Sequence, residues 1–201
     1  MKIIKKIQQD KVFSTKERIV QTALSLFKER GLANVSTRDV SEACGLSRSH
    51  IYHYFADWDA LRNGVFTQLA ALEHTEASQL LDALPPAKAM TEFIKAFLPM
   101  RRDSSWMLWL DAWDEALRDE TFAKIYLSAM QQWEMLLVTV VQRGVQTCTF
   151  RCDKPERAAK QIFAMINGYS ADLLLAPSHK SQKDAVRDVL EIAALLLKTE
   201  L

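Results

Sequence analysis

Glycine and proline are scarce in this chain of 201 residues, five of each, and cysteine is scarcer, with three. So few glycines leave no Gly-rich loop to cradle a phosphate and no Gly-x-Ser-x-Gly nucleophile elbow, and a zinc-protease His-Glu-x-x-His is absent as well. With no catalytic motif, the expectation is a protein that is not an enzyme and needs no cofactor. Cys44, Cys148 and Cys152 are odd in number and scattered, which excludes a disulfide framework and fits a reducing cytoplasm. No uncharged apolar run reaches the roughly 18 to 20 residues of a membrane helix. The start MKIIKKIQQDK has basic residues but no apolar block or cleavage site after them, so neither membrane association nor export is expected. His50 and His53 lie three apart with no third ligand at a fitting offset, so no metal is expected.

What is present is a globular composition, 49% hydrophobic and 25% charged, enough to bury a real core in one or two domains. The net charge of +1 conceals a division: residues 1–62 hold 11 Lys+Arg against 7 Asp+Glu, and the remainder 15 against 18. The basic part begins with an arm, residues 1–13, carrying Lys2, Lys5, Lys6 and Lys11. Such an arm can follow phosphates or serve as a solubilising tail.

The stretch Ser36 to Phe55, STRDVSEACGLSRSHIYHYF, reads as two short helices about a tight turn. Ser36 and Asp39 form a capping box, Val40 and Ala43 recur at helical spacing, Gly45 stops the first helix, and Ser47 caps a second, Arg48 to Tyr54. Ile51 and Phe55 point inward with Val40 and Leu46. That leaves Arg48, Ser49, His50, Tyr52, His53 and Tyr54 outward. Arg48 can fork onto guanine, Ser49 and His50 occupy the turn nearest base edges, and Tyr52, His53 and Tyr54 can donate to phosphates. An ordinary amphipathic hairpin would not require this exposed set of polar aromatics. Upstream, Ser14 and Glu17 open a supporting helix with Ile19, Ala23, Leu26 and Phe27 on one stripe, ended by Gly31.

The runs Thr37-Arg-Asp-Val, Gly45-Leu-Ser and Ile51-Tyr-His-Tyr-Phe55, with Ala23-Leu-Ser-Leu-Phe27 and Gly31, resemble the DNA-binding signature of TetR-family transcriptional regulators over about residues 14 to 65. The resemblance implies that Thr37 contacts phosphate, that Arg48, Ser49 and His50 read bases, and that Tyr52 and Tyr54 anchor phosphates. Asp57 and Trp58 depart from it, standing where the family has a small cap and a phosphate-touching Lys.

Asp57 is expected to cap a helix through Leu61, Val65, Leu69 and Leu72 to about Leu84, stopped by Pro85-Pro86. Further helices are expected over 87–98, 104–118, 119–146 (ended near Gly144), after an Asp153 cap to Pro177, and 182–199. The fold class is therefore all-α with about nine helices. A helix-turn-helix domain spans 14–60, and a ligand-binding and dimerisation domain spans 61–201. Trp106, Trp109 and Trp113 lie at helical spacing. They read either as core or, with Tyr126, Trp133 and Tyr169, as the lining of a ligand pocket, and the two readings are compatible. Asp111, Asp114, Glu115 and Asp172 lie near them in sequence. Aromatic faces with a carboxylate suit an organic cation or amphipathic aromatic, a neutral apolar effector being the alternative. Trp109-Leu-x-x-Trp113 and Asn167-Gly168-Tyr169 also resemble the effector domain of BetI-type regulators. The last two helices are apolar on more than one face, which predicts a homodimer through Ile162, Ile166, Tyr169, Val186, Leu190 and Leu197. The expected function is sequence-specific regulation of transcription, repression at a palindromic operator in double-stranded DNA relieved by a small-molecule effector. A small all-helical enzyme with a Trp-lined cavity is the competing class.

Overall fold

A computed structural model describes residues 14–199, so the basic arm expected at 1–13 lies outside the described residues. Among those residues the chain forms nine α-helices, and the all-α expectation holds. They are α1 (Thr15–Arg30), α2 (Thr37–Cys44), α3 (Arg48–Tyr54), α4 (Trp58–Asp82), α5 (Pro86–Phe97), α6 (Ser104–Ala116), α7 (Glu120–Gln146), α8 (Pro155–Leu175) and α9 (His179–Leu197), with one 3-10 turn at Leu32–Asn34. Two compact units divide between Gln68 and Leu69, inside α4 and beyond the boundary expected at residue 60. The reason is that Leu61 and Val65, in the first turns of α4, are completely enclosed, and Trp58 meets Phe27 of α1 edge to face at 5.9 Å.

In the first unit, local chemistry sets each helix end. The Ser14 hydroxyl accepts from the Glu17 amide and the Glu17 carboxylate accepts from the Ser14 amide. Ser36 and Asp39 repeat this reciprocal box at α2, satisfying amides that no helical carbonyl can reach. Gly45 closes α2 in the left-handed region at φ 65°, where a side chain would be strained. The Ser47 hydroxyl then accepts from the His50 amide to start α3. Ala43, expected inside, is exposed, whereas Val40, Ile51 and Phe27 are buried.

The second unit is built about α7, which packs on α5, α6 and α8, with α9 against α8 and α5. Asp103 and Asp119 cap α6 and α7, and Pro86 and Pro155 occupy the first turns of α5 and α8. Asp153, expected as the cap of α8, is not; Lys154 holds that position without a side-chain bond, and Asp153 faces the Lys198 ammonium at 3.5 Å. Helix C-termini are closed by cations. Arg143 of α7 donates to the carbonyls of Leu81, Asp82 and Leu84 at 2.8–3.0 Å, and Arg102 donates to those of Leu174 and Leu175.

Candidate functional site

In α3 the residue pattern sorts cleanly by exposure. Ile51 is completely buried and Phe55 nearly so, fixing the helix on its inner side. Arg48, Ser49, His50, Tyr52 and His53 are exposed, and Tyr54 is half-buried. Among the described residues no carboxylate pairs with the Arg48 guanidinium. The hydroxyls of Ser47 and Ser49 are 2.9 Å apart. The rings of His50, His53 and Tyr54 form a contact group, Tyr54 lying 5.7 Å from His50 and 5.1 Å from His53 between centroids. Thr37, at the first turn of α2, is only 8% exposed, and its oxygen accepts from the Tyr52 hydroxyl at 3.2 Å. One hydrogen bond thus ties the start of α2 to the outer side of α3, with the Thr37 proton left available. Asp57 accepts from the Ala60 amide at 2.7 Å and caps α4, while Trp58 is turned onto Phe27.

The six aromatic candidates in the second unit fare differently. Trp106 and Trp133 both contact Phe97, at 6.5 and 5.0 Å between centroids, and Phe97 also stacks on Phe93 and meets Phe163. Trp109 meets Tyr126 at 6.0 Å, and burial pushes the Tyr126 hydroxyl above its ordinary pKa. Trp113 does not join them and is 53% exposed, because Leu108 and Ala112 occupy the innermost face of α6 and turn position 113 outward. Tyr169 donates to the Asp188 carboxylate of α9 at 3.0 Å; this bond raises the tyrosine pKa and, after the Arg187 bond, helps lower that of Asp188. Of the carboxylates noted in sequence, Asp114 is paired with Arg118 on an exposed face and Asp172 is exposed.

A carboxylate outside the sequence-derived set, Glu73 of α4, reaches Trp109. Its oxygens accept from Trp109 Nε1 at 2.9 Å and from the Ser105 hydroxyl. Beside it, the His74 ring meets Trp133 at 5.5 Å. Sequence reasoning missed both, although a signal existed. The stripe Leu61, Val65, Leu69 leads at spacing four to position 73, whereas Leu72, assigned to the stripe, is 49% exposed. His74 also lines an open groove of about 370 Å³ between α4 and α7, with Ser78, Asp82, Gln131, Gln132 and Met135.

The dimer set needs correction. Ile162, Ile166 and Leu197 have no exposure at all within the single chain, so a second copy cannot touch them; they are this chain's own core. Val186 and Leu190 are half-buried and line a second groove of about 370 Å³ on α9 with Lys183, Arg187, Glu191 and Ala194.

A capped helix-turn-helix with an exposed polar face, followed by a second helical unit, defines a DNA-binding class of protein. Residues 19–65 match the family described as bacterial regulatory proteins, tetR family, and residues 86–198 match BetI-type transcriptional repressor, C-terminal. The chain belongs to the TetR family of DNA-binding transcriptional regulators. It is 30% identical over 89 residues to an uncharacterized HTH-type transcriptional regulator of Mycobacterium tuberculosis, a match covering 44% of each chain. A transcriptional regulator from Saccharomonospora viridis solved in complex with choline is similar in fold, with TM-score 0.74 and 20% identity over 88% of this chain and 95% of that one. A TetR transcription regulator from Haloarcula marismortui aligns with TM-score 0.76 and 16% identity over 90% and 97% of the two chains. A TetR-family regulator from Cytophaga hutchinsonii aligns with TM-score 0.76 and 19% identity over 94% and 100%.

Proposed function

We infer that the protein is a homodimeric repressor that binds a palindromic operator through α3 and is released by a small organic cation or amphipathic aromatic. The observation carrying the DNA reading is the exposed Arg48, Ser49 and His50 on a helix whose inner side is locked by Ile51. In this reading those three meet base edges, while Thr37, His53 and Tyr54 hold phosphates directly and Tyr52, its one proton given to Thr37, anchors a phosphate through the Thr37 hydroxyl it orients. Dimerisation supplies what one short helix lacks, because a twofold axis sets two recognition helices about 34–36 Å apart, one turn of DNA. The effector reading is supported by the ring group about Phe97, by Trp109 and Tyr126, and by the likeness to a regulator solved with choline.

DNA from beside the protein's own gene, titrated by fluorescence anisotropy at several salt concentrations, provides the test. Binding should weaken steeply with salt, because complex formation releases phosphate counterions and that release is less favourable at high salt. Arg48→Ala should lose about 1–3 kcal/mol of discrimination at one base pair per half-site. No binding to any such fragment sinks the repressor reading, and unchanged base preference in Arg48→Ala removes Arg48 from base readout.

A further inference from the structure

Glu73 occupies an anomalous position. It stands among the inward residues of α4, following Phe66, Leu69 and Ala70 and preceding Leu81, all buried and apolar. Among the described residues its carboxylate has only two partners, the Ser105 hydroxyl and the Trp109 indole N–H, and both are neutral. Two neutral donors satisfy the oxygens without cancelling the charge. The Glu73 side chain is half-buried beside the Trp109 indole, where solvent screens a charge less than at the surface. A packed core has no need of such a group, since an apolar residue at position 73 would continue the stripe at no desolvation cost.

We propose that Glu73 is the residue that reads the charge of the effector, and that a cationic head group takes this carboxylate over from Ser105 and Trp109. The inference rests on the effector reading above. The ligand class it names is a compact organic cation, a quaternary or primary ammonium, whose charge pairs with Glu73 while its alkyl groups pack on the Trp109 ring freed by that exchange. The Ser105 and Trp109 bonds occupy the carboxylate that the cation would take. Ligand and α6 then compete for one carboxylate, so α6 donors act as built-in antagonists of binding. Since α4 runs from Trp58 to Asp82, the helix that carries this contest also contributes Leu61 and Val65 to the DNA-binding unit.

The competition gives the proposal a sign that a structural role for Glu73 would not produce. Isothermal titration of the full chain with choline, tetramethylammonium and the uncharged dimethylbutanol isostere of choline is the measurement. Wild type should prefer choline over the neutral isostere by on the order of tenfold or more, and Glu73→Gln should bind the two alike. Ser105→Ala, which removes one competing donor, should tighten choline binding by about three- to tenfold, and it keeps the proposal testable should Glu73→Gln fail to fold. Preference for the cation retained in Glu73→Gln, or choline affinity unchanged or weakened in Ser105→Ala, overturns the role of Glu73 while leaving a cationic effector in place. A wild-type protein that binds none of the cations overturns the effector reading and this inference together.

Discussion

At the scale of single residues, Gly144 shows how a sequence signal can mean something other than its usual sense. A glycine late in a long helix reads as its stop, and α7 does end two residues on, at Gln146, yet Gly144 is buried inside it. A Cβ built there would lie 2.0 Å from the Phe150 ring, which is itself 1% exposed, and the Phe150 amide donates to the Gly144 carbonyl at 3.0 Å. The missing side chain is the space in which Phe150 packs. Gly144→Ala should therefore destabilise by about 1–3 kcal/mol through overpacking, even though alanine gains about 1 kcal/mol over glycine in an open helix. Urea unfolding measures the balance, and a variant as stable as wild type would mean that Phe150 can be moved cheaply.

At the scale of elements, α2 is eight residues long and owes its definition to its ends. The Ser36 hydroxyl and amide, followed by Arg30, hold the Asp39 carboxyl below its ordinary pKa. A group whose pKa is lowered on folding stabilises the fold above its unfolded value, about 4 for an aspartate, and that contribution disappears as pH falls through the lowered folded value. Wild type should be more stable than Asp39→Asn at neutral pH, and the gap should close as pH drops from about 5 to about 2. Thermal unfolding of the pair across that range tests it; a gap independent of pH would assign the effect of Asp39 to shape alone. The same element scale explains Trp58. Its edge contact with Phe27 uses the first turn of α4 for packing, where the family resemblance would have placed a phosphate contact.

At the scale of the whole molecule, the proposed dimer must use surface that the single chain leaves open. That excludes Ile162, Ile166 and Leu197 and retains Val186 and Leu190, which flank the α9 groove beside Arg187 and Glu191. Leu190→Asp should convert a dimer to monomers while leaving helicity intact, because the charge enters a half-buried position. Ile166→Asp should instead unfold the chain, since an unpaired carboxylate would enter a fully enclosed site. Sedimentation velocity with circular dichroism separates the two outcomes. A Leu190→Asp protein that stays dimeric would move the interface off this face of α9.

Local sequence sets the headpiece elements: the two capping boxes, the left-handed Gly45, the Ser47 cap and the outward Arg48, Ser49, His50, Tyr52 and His53 of α3 all depend on residues within about four positions of one another, whereas Tyr54, read as outward, is half-buried. It also determined the all-α class and the number of helices, because apolar periodicity and prolines act along the chain. Tertiary structure alone decided which apolar faces of α8 and α9 are spent on the chain's own core, since periodicity marks a face as apolar without saying what covers it. It likewise decided that Trp113 stands in solvent and that Glu73, 36 residues from Trp109 along the chain, accepts from its indole N–H. Burial and hydrogen bonding between distant segments depend on how helices stack, and no local pattern encodes that.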